Sequence, residues 1–250
     1  MRRLRILNIW VDDISKEECL EKVVEFVEEN DPGLHTIFAS NPEKNFSVPK
    51  HAEIYHAYKN ADILLPDGVG VVFAARVLYG AKIQRLPGVD VFGWLCSLAA
   101  ERGYRVFVFG SKEDVNKKAV AALNRKYPGL KIAGRSHGYI AEGDMPSLVK
   151  KINESRAQIL FVGLGSPKQE RWIASYGHLL ETVRVCQGIG GTLDTIAGSV
   201  KRAPVAWQRA HLEWLYRVLK EPKRIKRQVV LPLFVVNILA ERLRRARFGN

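Results

Sequence analysis

The stretch QILFVGLGSPKQE, residues 158–170, reads as a buried strand that runs directly into a glycine turn and a helix start. Residues 158–162 are mostly apolar and β-type, while Gly163 and Gly165 permit a tight bend. Ser166 can cap the following helix, with Pro167 in its first turn. The same strand–turn–helix unit recurs on both sides. Strand-like runs at residues 5–11, 35–39, 61–65, 105–109, 131–134 and 183–187 alternate with helical periods such as 16–29 and 69–78. Most of these runs end in Gly, Ser or Asp before a helical pattern begins.

Repetition of this unit implies an α/β fold: a Rossmann-like, mostly parallel sheet with helices on both faces. In such sheets ligands bind beyond the carboxyl ends of the strands. The pattern spans residues 1–200, which are expected to form this domain. Residues 201–250 are expected to form a helical basic appendage. The chain has 250 residues, 47% hydrophobic, 26% charged and 9% aromatic, which excludes disordered, collagen-like and disulfide-scaffold classes. Three scattered cysteines, Cys19, Cys96 and Cys186, form no CxxC and read as reduced thiols. The basic start is followed by Asp12 and Asp13 rather than an apolar core, so no secretory leader is expected.

Of a formal net charge of +13, most sits at the end. Residues 1–200 carry 26 Lys+Arg against 23 Asp+Glu, and residues 201–250 carry 13 against 3. Such asymmetry points to a polyanionic partner, either a membrane surface or a nucleic acid. From Pro204, apolar residues at helical spacing predict one helix through Lys220. The apolar run 229–240, of 12 residues and flanked by Lys and Arg, is shorter than the ~18 of a spanning helix. It fits a helix lying in a membrane interface. The alternatives are a helix packed on the core or on a second subunit, so a homo-oligomer stays open.

Three loops are placed to carry chemistry. In Pro66-Asp67-Gly68-Val69-Gly70, the carboxylate can serve as a base at a strand end, or can simply cap a helix. In residues 163–169, backbone amides and Lys168 suit a phosphate, although the motif is neither a dinucleotide fingerprint nor Walker A. An unoccupied capped helix start is the other reading. In residues 187–194, Gly190 and Gly191 open a turn, and Asp194 can accept from a ribose or a base; alternatively the glycines only pack helix on strand. Arg85 can pair with an anion or lie on the surface. Asn41 can orient a hydroxyl or cap a helix. Tyr139 can stack on a base or be half-buried core. No histidine pair has metal spacing and no acidic pair is placed for Mg²⁺, so no metal and no cofactor is expected.

Taken together, the blocks ADILLPDGVGVVFAAR, RVFVFGSKEDV, ILFVGLGSPKQERWI, CQGIGGTLDTIAGSVKRAP and EWLYRVLKEPKR resemble the WecG/TagA/CpsF family of bacterial glycosyltransferases over almost the whole chain. The resemblance implies transfer of an N-acetylmannosamine-type sugar from a UDP donor to polyprenyl-diphosphate-linked N-acetylglucosamine, for teichoic acid or another surface polysaccharide. It also implies a peripheral enzyme at the cytoplasmic face of the membrane and inversion without a metal. By resemblance Asp67 is the general base, Arg85 holds the diphosphate or leaving group, and Gln169 is a site residue. Tyr139 and Asp194 lie near uracil and ribose, and Arg217, Arg224 and Arg227 neutralise departing UDP. One departure stands out: Ala39 stands where some relatives have Thr, and whatever that hydroxyl does is either missing here or supplied by Ser40 beside it. Two other readings remain. One is a non-enzymatic nucleic-acid-binding protein using the basic tail. The other is a Rossmann-type oxidoreductase, which the missing GxGxxG turn disfavours.

Overall fold

A computed structural model describes residues 1–28, 33–210, 212–220, 225 and 229–248. The chain opens with an antiparallel hairpin, β1 (Arg2–Ile6) and β2 (Ile9–Asp13). This corrects the single strand expected over residues 5–11. Leu7 takes a φ of 55°, which reverses the chain in the middle of that run, and Asn45 Oδ1 accepts from the Asn8 amide at 3.0 Å. The hairpin is fastened to the main sheet by Asp12. This fully buried carboxylate accepts from Arg3 at 2.7 and 2.9 Å and from the Leu64 amide at 2.7 Å.

The main sheet has six strands: β3 (His35–Ser40), β4 (Ile63–Pro66), β5 (Arg105–Gly110), β6 (Lys131–Ser136), β7 (Ile159–Gly163) and β8 (Val185–Gly188). Their order is β4-β3-β8-β7-β5-β6, and every neighbouring pair is parallel. Near-continuous apolar strands such as ILFVG in β7 follow from that, because side chains alternate between two covered faces. Ile159 and Phe161 enter one core with α1 (Lys16–Glu28), α5 (Gly88–Arg102) and α6 (Glu113–Lys126). Leu160 and Val162 enter the other with α3 (Ala52–Lys59), α4 (Val69–Tyr79), α7 (Met145–Glu154) and α8 (Lys168–Tyr176). Two short helices, α2 (Pro42–Ser47) and α9 (Thr192–Ile196), follow β3 and β8. For α2, Asn41 is the cap: its Oδ1 accepts from the Lys44 amide at 3.2 Å.

The basic tail differs from its expected form in one way. The helix expected from Pro204 to Lys220 is divided into α10 (Val205–Arg209) and α11 (Glu213–Lys220). Across the two helices Trp207 meets Tyr216 edge-on at 5.7 Å and Glu213 is buried, gains one straight helix would lose. The last helix, α12 (Val230–Phe248), packs on α4 and α2, as the alternative of a helix packed on the core has it. Phe234 and Ile238 are fully buried in the α4-side core, each contributing ~1.5–3 kcal/mol by removal from water. Arg245 lies over the Tyr79 ring at 4.7 Å. The outward side of α12 is also apolar: Leu233, Val236, Leu239 and Leu243 are 48–69% exposed. Among the described residues, no helix is long and apolar enough to cross a membrane.

Candidate active site

Parallel strands bring the loops singled out in the sequence to one edge. After β4, the Asp67 amide donates to the Ser40 carbonyl at 3.1 Å, which pins the Asp67 loop to the end of β3. Asp67 does not cap its own helix, since Gly68 holds that position in α4. Its Oδ1 instead accepts from the Gly88 amide at 2.9 Å, in the first turn of α5. Arg85 closes the loop from outside, with Nε donating to the Asp67 carbonyl at 2.8 Å. The approach is close enough to need glycine: a Cβ on Gly70 would stand 2.5 Å from Pro42 Cγ and 3.6 Å from Phe234.

Here lies a cavity of about 180 Å³, lined among others by Asn41, Asp67, Arg85, Glu213, Trp214 and Leu231. The sheet domain supplies an amide, a carboxylate and a guanidinium. The tail supplies a second carboxylate, an indole and a leucine. Glu213 is buried, 3.6 Å from Arg85 Nη2 and 3.5 Å from Arg202 Nε. Arg202 Nη1 is 2.6 Å from Asp90 of α5.

A second cluster lies where the sheet changes direction, since the chain leaves β5 for β6 on one side and β7 for β8 on the other. Doubly wound sheets bind nucleotides at such a point. Gly110 has a φ of 134°, and a Cβ there would lie 2.3 Å from the Gly163 carbonyl oxygen. Ser111, at a φ of 57°, donates its amide to that carbonyl at 3.0 Å and places its hydroxyl 3.4 Å from Asp194 Oδ2. Gly138 donates to the Ser111 carbonyl, and the next side chain, Tyr139, is 71% exposed at the rim. Half-buried core, one reading of Tyr139, is thereby set aside.

A polar chain runs from the Gly190 turn, beside Gly163, to α2, whose cap Asn41 lines the cavity. Gln169 Oε1 accepts from the Gly190 amide at 2.9 Å, and its Nε2 donates to Glu170 at 3.3 Å. Glu170 meets Lys44 Nζ at 2.6 Å, and Lys44 also donates to the Ser166 hydroxyl. Ser166 therefore does not cap α8; Pro167 holds the cap position, and Lys168 is exposed at the helix start. Lys44 lies over the Tyr58 ring at 5.3 Å. Burial, with help from Glu170, pushes the Tyr58 phenol well above its usual range, so it stays a donor to the Ala39 carbonyl. Gln169 is buried and tied to Gly190 and Glu170, so it shapes the loops.

Other expected residues fall differently. Ser40 is buried and its hydroxyl donates to the Trp10 carbonyl at 2.6 Å, so it is no substitute for the missing Thr hydroxyl. Alternation along β3 sends Phe38 and Ser40 to one face, whereas Ala39 faces Gly88. Gly165, at a φ of 73°, and the exposed Gly191 lie on the edge loops as expected. Arg224 and Arg227 lie outside the described residues, and of Arg217 only the backbone, in α11, is described. The sequence reading passed over Ser111, Lys44, Glu170, Glu213 and Trp214. One signal for Glu213 was present: it is the only acid between Arg202 and Lys220. Among the described residues, no three His, Cys, Asp or Glu side chains cluster to hold a metal ion.

Residues 4–248 match the model of the glycosyl transferase WecG/TagA/CpsF family. The chain belongs to this family. Among its relatives is the N-acetylglucosaminyldiphosphoundecaprenol N-acetyl-beta-D-mannosaminyltransferase of Bacillus subtilis (strain 168), 36% identical over 208 residues, or 83% of this chain and 80% of that one. The enzyme of the same name from Staphylococcus aureus (strain MRSA252) is 31% identical over 236 residues, 94% of this chain and 92% of the other. The family resemblance drawn from the sequence blocks is thus borne out. The nucleic-acid and oxidoreductase readings give way to glycosyl transfer.

Proposed function

We propose that this enzyme moves an N-acetyl-β-D-mannosaminyl group from UDP to polyprenyl-diphosphate-linked N-acetylglucosamine, in teichoic acid or related surface-polysaccharide synthesis. The observation that carries the reading is the position of Asp67: a carboxylate on the wall of a cavity beside Arg85, on the same sheet edge as the β5/β7 crevice. The crevice of Ser111, Gly163 and Asp194, with Tyr139 at its rim, suits the uridine. The diphosphate then lies toward Arg85 and the α8 start, where Lys168 and Gly165 face the edge.

Asp67 accepts the proton of the acceptor C4 hydroxyl while that oxygen attacks C1 of the donor. The C1–oxygen bond to UDP breaks, and configuration at C1 inverts. Negative charge grows on the leaving diphosphate, and Arg85 with the tail cations Arg217, Arg224 and Arg227 offsets it, in place of a metal ion. Gln169 acts by holding the Gly190 turn.

The acceptor is anchored in lipid, and the outward leucines of α12, followed by Arg242, Arg244 and Arg247, fit a helix lying in an anionic interface at the cytoplasmic face. The experiment is a donor panel: purified protein, a short-chain lipid-diphosphate N-acetylglucosamine and several UDP-sugars, with UDP release and product mass measured. The expected result is transfer from UDP-N-acetylmannosamine that EDTA leaves intact. Transfer from none of the donors, or loss of rate in EDTA, contradicts the reading.

A further inference from the structure

The tail is basic, yet among its described residues its first contribution to the cavity is an acid followed by an indole. Glu213 is 6% exposed. A carboxylate taken that far from water needs positive partners. Its partners include the guanidiniums of Arg202 and Arg85, in an alternating series that runs Asp90, Arg202, Glu213, Arg85. The series ends on the Asp67 carbonyl, which Arg85 Nε holds at 2.8 Å. The next residue, Trp214, is 37% exposed and lines the cavity with Asn41 and Asp67. A flat apolar ring beside an amide and a carboxylate is the combination that receives a pyranose: the indole meets its C–H face while the polar groups meet its hydroxyls.

We propose that Glu213 is a positioning residue that latches α11 onto the Arg85 loop and so sets Trp214 as a sugar-facing wall of the Asp67 cavity. The sugar-facing half rests on the glycosyl-transfer reading above; the latch does not. The separations of 3.6 and 3.5 Å are ion-pair distances, and the buried Arg202 Nε has no hydrogen-bond partner. Charge therefore contributes to the latch, and an uncharged amide of the same shape weakens it.

Two readouts separate the halves. The first needs no activity: acrylamide quenching of Trp214, taken as the difference between each protein and the same protein carrying Trp214→Phe. Quenching is expected to rise about twofold in Glu213→Gln as the indole loses its packing. Arg202→Gln, which changes the same series from outside the cavity lining, should reproduce the rise. Unchanged quenching in both folded variants overturns the latch. The second readout is steady-state transfer. Glu213→Gln and Trp214→Ala should each raise the KM of a sugar substrate about tenfold with a smaller change in kcat, while Trp214→Phe, which keeps an aromatic face, recovers part of the KM that Trp214→Ala loses. The Glu213→Gln/Trp214→Ala double variant should be no worse than the poorer single one, because both remove one wall. A wild-type KM in Trp214→Ala, or fully additive effects, overturns the sugar-wall assignment. If wild type transfers no sugar at all, it is the functional reading that fails, and the quenching result still decides the latch.

Discussion

Lys44 and Glu170 make a buried ion pair 2.6 Å apart, between the helix after β3 and the helix after β7. Their side chains are 9% and 1% exposed, so removing one partner strands the other charge in a poorly solvating interior. Glu170→Gln or Lys44→Met should therefore lower unfolding stability by about 3–5 kcal/mol. The double change to apolar residues should recover most of that loss. Denaturant titration of the two single variants and the double one checks this, and additive losses would contradict it. The pair also shows where sequence reading ran out. Asp67, Arg85 and the glycine turns could be found because apolar strands led straight into them. Lys44 and Glu170 are 126 positions apart and have meaning only once β3 and β7 are both parallel to β8. The question of Ser40 stays open in the sequence for a related reason. Adjacent positions of a strand face opposite sides, and only the register shows that Ser40 turns to Trp10 while Ala39 turns to Gly88.

At the scale of elements, α12 is apolar on two sides, and the two sides do different things. The inner side holds Phe234 and Ile238 against α4. Phe234→Ala should cost about 3–5 kcal/mol, read as a lower denaturation midpoint. The outer side holds Leu233 and Leu243 in the open. Changing both to Asp should leave that midpoint nearly unmoved and weaken sedimentation with anionic liposomes; undiminished liposome binding would contradict the interfacial reading. The same helix carries a pH signature. Hydrogen bonds from Arg244 and then Arg245 hold the Glu241 carboxyl down at about 2, against an ordinary 4.5. A depressed carboxyl stabilises the folded state above its unfolded pKa and loses that contribution as pH falls through the folded one. The stability difference between wild type and Glu241→Gln should be constant above about pH 5 and shrink between 4.5 and 2. Periodicity revealed this helix but not its docking. It missed the hairpin turn at Leu7, because nothing marks a leucine for positive φ. It also joined α10 to α11, because apolar spacing continues from the first into the second.

For the whole molecule, the sheet order matters most. Parallel strands send Asn41, Asp67, Ser111, Tyr139, Gly163 and Gly190 to a single edge, and the tail folds back to close one end of it with Glu213 and Trp214. The sequence predicted the edge because repeated strand–turn–helix units admit little else. The family resemblance brings the tail toward this edge, but that Glu213 and Trp214 wall the cavity is not legible in the sequence, because they lie nearly 150 positions beyond Asp67 in the chain. The β5/β7 crevice, proposed to take the nucleotide, and the Asp67 cavity share that edge, which suits the proposed reaction in which one sugar is handed between two bound partners. The most direct measurement is single-turnover transfer by Asp67→Asn beside its UDP affinity by calorimetry. The account predicts transfer slowed about 10²–10⁴-fold or more, with UDP binding within a few-fold of wild type. Transfer at the wild-type rate would contradict it.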